Sequence, residues 1–486
     1  MFVCAFSVVM LPMSIAATEP LSIGDRTCLF LDDRFIAEQS GLKRTWHQGK
    51  PRPEPAITGT WPHMFGSVLC DPQVRLYKMW YEDVAHGKGW IHYAESKDGK
   101  AWTKPNLGLV ELDGSRSNNI LFAHAELPNV FLDPRDPDPR GQFKMALWTS
   151  GVSFEGRTIS GHVLFRSRDG VRWEPLGPRP EIRAPEGDET AQARTVLDTH
   201  EIIWDPLGQR YLGMFRLFPL HPGIPGWFRD EKHQMSDGIG GHRRAVGVAF
   251  SKSLTNGWSR MTTALRADAK DDEKAAKLSR NEKRDWVEPY IMPVFAYGNH
   301  YLGMVSMLYF VDGIHGGDTV NGGGDIQFTF SHDGEKWYRQ PDRQTFVEPN
   351  PAGLVPTYAQ CNEPLEIGDE LWIYFTEAHS AHPKTGDTSV IRAATWRKDG
   401  FVSLDAAGRA SVTTPPLVFT GKQLLVNFEG AVTVTLLDAK GFKPQTLEGN
   451  SVAQTVAWDL SSVAGQPLRL QFELEKGRLW SFRFAR

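Results

Sequence analysis

Several acidic and imidazole side chains stand at or just before strand-like segments in different parts of this 486-residue chain. They are His63, Glu126, the group Asp198, His200 and Glu201, the pair Asp285 and Glu288, and Glu363. Carboxylates gathered at one mouth repel each other, and that repulsion raises one pKa enough for its owner to keep a proton and act as a general acid. Asp198, Glu288 and Glu363 are the acids expected to do so. Each taken singly has a plainer use, capping a strand-end turn or bonding a neighbouring backbone amide.

The elements that must position these groups are legible as repeats. Ser96-Lys-Asp-Gly-Lys-Ala-Trp102 recurs at Ser167–Trp173 and at Ser331–Trp337. A degenerate copy, Ser251-Lys-Ser-Leu-Thr-Asn-Gly-Trp258, fills the long gap, and Lys398-Asp-Gly-Phe401 ends the series. Asp-Gly is a tight hairpin turn, with Gly at positive φ and Asp bonding its own backbone. Ahead of each turn lies a second repeat, an apolar strand, a polar turn and an aromatic strand, at 67–82, 129–150, 201–218, 290–310 and 364–378. Five such units imply an all-β fold, a five-bladed β-propeller. After Gly400 the repeat stops, and alternating segments with Gly-rich turns suggest a C-terminal β-sandwich.

The expected domains are therefore a signal peptide at 1–17, a propeller at 18–400 that includes an N-terminal closing strand, and a sandwich at 401–486. Residues 2–17 are an apolar run ending in small residues, which suits export to a secreted or periplasmic location. No later segment is long and apolar enough to cross a bilayer. A net charge of −4 makes no case for nucleic acid. Cys28, Cys70 and Cys361 are too few and too far apart for a disulfide framework or a zinc site. His221, His233 and His242 lack metal-site spacing, and Gly322–Gly324 lacks the strand-then-helix setting of a phosphate cradle. No cofactor is expected; a structural Ca²⁺ at the propeller axis stays open, without a motif. A monomer is expected.

The repeat count, the S-x-D-G-x-x-W hairpins and the trailing sandwich resemble the propeller glycosidases of the invertase and arabinanase group, glycoside hydrolase families 32 and 43. Arg397–Asp405 is similar to the junction into the sandwich in such proteins. The resemblance implies a glycosidase whose three carboxylates point into a funnel from the starts of the innermost strands. Trp286-Val-Glu-Pro289 resembles the E-C-P pattern of the group, here in the fourth unit. Thr60–Gly66, opening the first innermost strand, has no acid where the nucleophile stands in that group. Asp33, beside Asp32 in LFLDDRF, takes that place if its strand enters the funnel. The preferred reading has that strand closing the ring at the last blade.

On this reading Trp61 and Trp286 offer indole platforms for sugar faces, or simply pack the blades. His63, Arg194, His200, Glu201 and Asp285 complete the expected binding set. Arg194, Arg216, Arg229, Arg243 and Arg244 could make one rim basic and favour an acidic or sulfated sugar; surface charge balanced by nearby acids is the simpler account. The charged insertion 266–285 is expected to form a short solvated helix. The functional expectation is a secreted glycoside hydrolase-like protein acting on a plant or algal poly- or oligosaccharide. A non-catalytic carbohydrate-binding propeller and a sialidase-like propeller are the alternatives.

Overall fold

The computed structural model describes residues 19–138, 141–154, 157–178, 182–183, 200–217, 219, 243–277, 286–310, 324–350, 354–378 and 389–486. The expected signal peptide lies outside them. These residues are almost entirely β, and they divide into two compact units, one within 45–403 and a second made of 19–44 with 404–486.

The unit 45–403 contains five successive antiparallel sheets. The first runs through His63–Asp71, Leu76–Ala85, Lys88–Ser96 and Ile120–Ala123. The second runs through Ala125–Leu132, Phe143–Phe154, Arg157–Ser167 and Trp173–Pro178. The third runs through His200–Asp205, Arg210–Leu217, Ala245–Ser251 and Thr262–Arg266. In the fourth, two segments, Trp286–Pro289 and Val294–Tyr297, share one partner, His300–Phe310, followed by Gly324–Ser331 and Trp337–Arg339. In the fifth, Val355–Ala359 and Leu365–Ile367 share Glu370–Ala378, followed by Ser389–Arg397.

The repeated motif makes the hairpin that its residues dictate. Ser96 Oγ accepts from Gly99 N at 2.9 Å, and Asp98 Oδ1 accepts from Lys100 N and Ala101 N at 2.8 and 2.9 Å. The same bonds recur at Ser167/Asp169 and Ser331/Asp333. Gly99, Gly170 and Gly334 sit at φ of 72°, 72° and 78°, a conformation that a side chain strains. In the degenerate copy Ser251 Oγ bonds Asn256 O, and Gly257 supplies the positive φ. In the first three sheets the strand-turn-strand repeat is fixed by an Asp at the turn. Asp71, Asp133 and Asp205 each accept from the backbone two residues on.

Side chains also bind sheet to sheet. Trp80 Nε1 donates to Gly170 O at 2.7 Å, Tyr211 to Asp133, Tyr301 to Asp205 at 2.9 Å, and Tyr297 to Asp399 at 2.6 Å. Tyr374 of the fifth sheet donates to Gly99 O of the first. Sequence neighbours are thus linked, and so are the two ends of the series.

The strand that completes the fifth sheet differs from the expected one. Lys50–Pro51 pairs with Ser389–Arg397, whereas Cys28–Leu29 of LFLDDRF pairs with Leu470–Ala485 in the other unit. The reason is packing: Cys28, Phe30 and Phe35 are buried in a core with Val426, Phe472 and Phe482. That unit holds a six-stranded sheet containing Gln423–Leu436, Gln445–Thr455 and Leu470–Ala485. A parallel pair, Leu21–Gly24 with Leu417–Phe419, accompanies it. Phe419 stacks on Phe484 at 3.7 Å in its core.

Within the charged insertion the helix Ala269–Ala276 forms, opened by a capping box on Asp268. It is anchored rather than fully solvated, because Asp271 is buried against Arg339 at 2.5 Å. Among the described residues no helix is long and apolar enough to cross a membrane.

Candidate active site

The candidate site forms where the first strands of the sheets begin. His63 opens the first strand of the first sheet and pairs in register with Glu82 of the second. Phe65, two residues on, lies 4.0 Å from the Tyr358 ring and 6.0 Å from that of Tyr290, and these two tyrosines are 5.6 Å apart. Leu127, Trp286 and Phe310 join the same buried cluster. Residues from the first, second, fourth and fifth sheets therefore meet in one aromatic plug.

Carboxyls surround the plug. Glu82 is buried and accepts from Leu127 N at 3.4 Å. A Cβ on Gly89 would come within 2.7 Å of Glu126 Cγ and 3.0 Å of Glu82 Oε1, so the two acids flank one glycine. Burial, and then the charge of Glu126, push the Glu82 pKa well above the usual carboxylate range. Glu126 itself is half-buried.

Glu288 comes from the fourth sheet and is 2% exposed. Its Oε1 accepts from Trp286 Nε1 at 3.1 Å, and its Oε2 lies 3.5 Å from Arg244 Nε. Oε2 accepts no hydrogen bond among the described residues. Burial raises its pKa, while Arg244, Arg243 and the Trp286 N–H oppose the rise. The Arg244 guanidinium also lies over the Tyr290 ring, 4.8 Å from its centre.

One layer further along, polar side chains tie the first sheet to the second and fifth, and the second to the third. Ser67 Oγ accepts from Val130 N at 2.7 Å, Asn129 Oδ1 from Ile202 N at 2.8 Å, and Asn362 Oδ1 from Val68 N at 3.0 Å. Glu201 sits in this layer, bonded by Cys361 Sγ at 2.9 Å and Asn129 Nδ2 at 3.2 Å. Burial lifts its pKa to about 8, against the smaller opposing effect of the Cys361 thiol. On its other side Glu201 lines a small cavity with His200, Arg216, Tyr290 and Ile291.

No protein-family model matches the chain, and no curated protein matches it. The solved structures it is similar to include glycoside hydrolases, the group that the sequence resembles. One is described as a glycoside hydrolase, at 13% identity and TM-score 0.42 over 73% of this chain and 92% of that one. Another is the catalytic domain of a Coprinopsis cinerea GH62 alpha-L-arabinofuranosidase, at 11% identity and TM-score 0.41 over 75% and 98%. A third is an endo-arabinase from Bacteroides thetaiotaomicron, at 12% identity and TM-score 0.39 over 71% and 99%. Likeness of this degree assigns no activity and no site residue to the chain.

The structure brings some of the sequence candidates together and parts others. His63, Trp286 and Glu288 meet at the plug, and His200 and Glu201 border it. Trp61 lies 4.7 Å from His63, and its Nε1 is buried without a hydrogen-bond partner among the described residues. Trp286 is buried flat against Phe310 at 4.7 Å, where its N–H orients Glu288.

Two expectations are corrected. Glu363 follows the first strand of its sheet, Val355–Ala359, rather than preceding it, so it faces the opposite end, lining a cavity with Leu69, Phe131 and Trp204. Asp33 is exposed in the other unit, in a helical turn capped by Asp32, and pairs with Arg44 at 2.5 Å. Such a surface pair is worth little. Asp198, Arg194 and Asp285 lie outside the described residues.

Glu82 is the acid that the sequence did not single out. Its signal was the acidic pair Glu82-Asp83 closing the run Met79-Trp80-Tyr81. Among the described residues no group of three His, Cys, Asp or Glu side chains is arranged to hold a metal ion.

Proposed function

We propose that the five sheets are the blades of a β-propeller, with a β-sandwich formed by the second unit. On this scaffold we propose a secreted glycoside hydrolase acting on a plant or algal poly- or oligosaccharide. The observation that carries the reading is the pair Glu82 and Glu288, two buried carboxyls from different sheets at one aromatic plug. Hydrolysis of a glycosidic bond needs two carboxyls in different states, one protonated and one ionised. Glu82, buried beside Glu126, is suited to keep the proton and give it to the leaving oxygen. Glu288, beside Arg244, is suited to be the ionised partner, and its Oε2 has capacity left to accept a proton or meet the sugar. Tyr290, Tyr358 and the Trp61 indole N–H supply ring faces and a donor for sugar hydroxyls.

The test is release of reducing sugar from a panel of plant and algal polysaccharides. Glu82→Gln and Glu288→Gln are each expected to lower turnover by roughly 10²- to 10⁴-fold, with the fold intact. Full activity in both variants would rule out this pair.

Carbohydrate binding without turnover is the second reading. The tie of Glu201 to Cys361 and Asn129, at 1% exposure, favours it, because that carboxyl already serves the scaffold. Under that reading wild type binds a polysaccharide, releases nothing from it, and loses no affinity on Glu288→Gln.

A further inference from the structure

A second cavity, of about 300 Å³, opens at the far ends of the same first strands, beyond the polar layer of Ser67, Asn129 and Asn362. That volume is at the lower end of small-molecule sites, about 300–1,000 Å³. Leu69, Phe131 and Phe295 are its buried floor, while Pro134, Pro206 and Glu363 stand exposed at its rim. Apart from Asn362 and Glu363, every lining side chain is apolar or the partly exposed indole of Trp204.

The polar capacity of the cavity reduces to one group. Asn362 is committed at both amide atoms, accepting from Val68 N and donating to Val130 O at 2.7 Å. Glu363 is held by its backbone, since Gln360 Nε2 donates to its carbonyl at 2.8 Å while Gln360 Oε1 accepts from Tyr374 N. Among the described residues no other side chain bonds the Glu363 carboxyl, and no cationic residue lines the cavity. The nearby Arg135 is engaged elsewhere, stacked 3.5 Å from the Trp204 ring centre and paired with Asp133. Glu363 stands exposed, so its carboxylate is hydrated and can be reached from solvent. It is the one charged acceptor within reach of a cation lying on the apolar floor.

We propose that this cavity binds a small organic ammonium ion, its apolar body against Leu69, Phe131 and Phe295 and its N–H groups on Glu363. A sugar does not suit the walls, because most of its hydroxyls would be left without partners. The cavity and the plug lie at opposite ends of the strands, so the inference stands apart from the hydrolytic reading.

Titration calorimetry on the full chain with phenethylammonium chloride and with the uncharged 2-phenylethanol tests it. The ammonium ion is expected to bind on the order of tenfold or more tighter than the alcohol, since a bond to a charged group is the stronger one. Glu363→Gln should remove that preference while leaving the alcohol unchanged. Equal binding of both ligands to wild type, no binding of the ammonium ion, or a preference that survives Glu363→Gln would each overturn the proposal. The wild-type comparison decides even where the variant fails to fold.

Discussion

Burial, more than any charged neighbour, sets the state of the acids along the first strands. Glu201 shows the consequence in numbers, with a pKa raised from 4.5 to about 8. Between those values the folded chain keeps a proton that the unfolded chain has released, so stability falls as pH rises through that window. Glu82 and Glu288 are shifted in the same direction and add to the slope. Glu201→Gln is therefore expected to make the decline of the urea midpoint shallower between about pH 5 and about pH 8. An unchanged slope would show that Glu201 titrates normally. At this scale the sequence revealed which side chains could be acids but not which face each other. Glu288 was legible because Trp286-Val-Glu-Pro289 is a local pattern. Glu82 was not, because what places it is its register opposite His63 across a hairpin.

At the scale of elements, the hairpins were readable because their determinants are confined to seven residues, Ser96 to Trp102 and its copies. Asp98→Ala removes the acceptor for two backbone amides and is expected to cost about 1 kcal/mol in a denaturant titration. Lys97→Ala, in the same turn, should be nearly neutral. A neutral Asp98→Ala would mean that Gly99 alone holds the turn. The divided first strands of the fourth and fifth sheets were not legible. In the fourth, residues 290–293 separate the two segments and end in Pro293, which has no N–H to give a ladder. In the fifth, residues 360–364 interrupt the strand, and Leu365–Ile367 reads as the strand start when Val355 is. That ten-residue displacement is what sent Glu363 to the wrong end. The segment that completes the fifth sheet was missed for a related reason. Lys50–Pro51 is only two residues long and carries no pattern, whereas LFLDDRF is apolar enough to look like the better strand.

On the scale of the whole molecule, residues 19–44 and 404–486 belong to one compact unit. Phe30 and Phe35 are 0% and 1% exposed and, with Ile23 and Cys28, share a core with residues of 404–486. Burying each phenylalanine is worth roughly 1.5–3 kcal/mol, so a fragment of 404–486 alone should fail to unfold cooperatively. Supplying residues 19–44 on the same chain should restore a sharp transition, and a cooperative fragment without them would contradict the packing. The central claim is that a sugar is bound and cleaved between Glu82 and Glu288 at the aromatic plug. Its most direct measurement is a crystal structure of the Glu288→Gln variant soaked with an oligosaccharide from whichever polysaccharide is hydrolysed. The account expects a glycosidic oxygen within hydrogen-bond reach of Glu82, with sugar rings against Tyr290 and Tyr358. A sugar bound only in the cavity by Glu363, or only on the unit of 19–44 and 404–486, would contradict it.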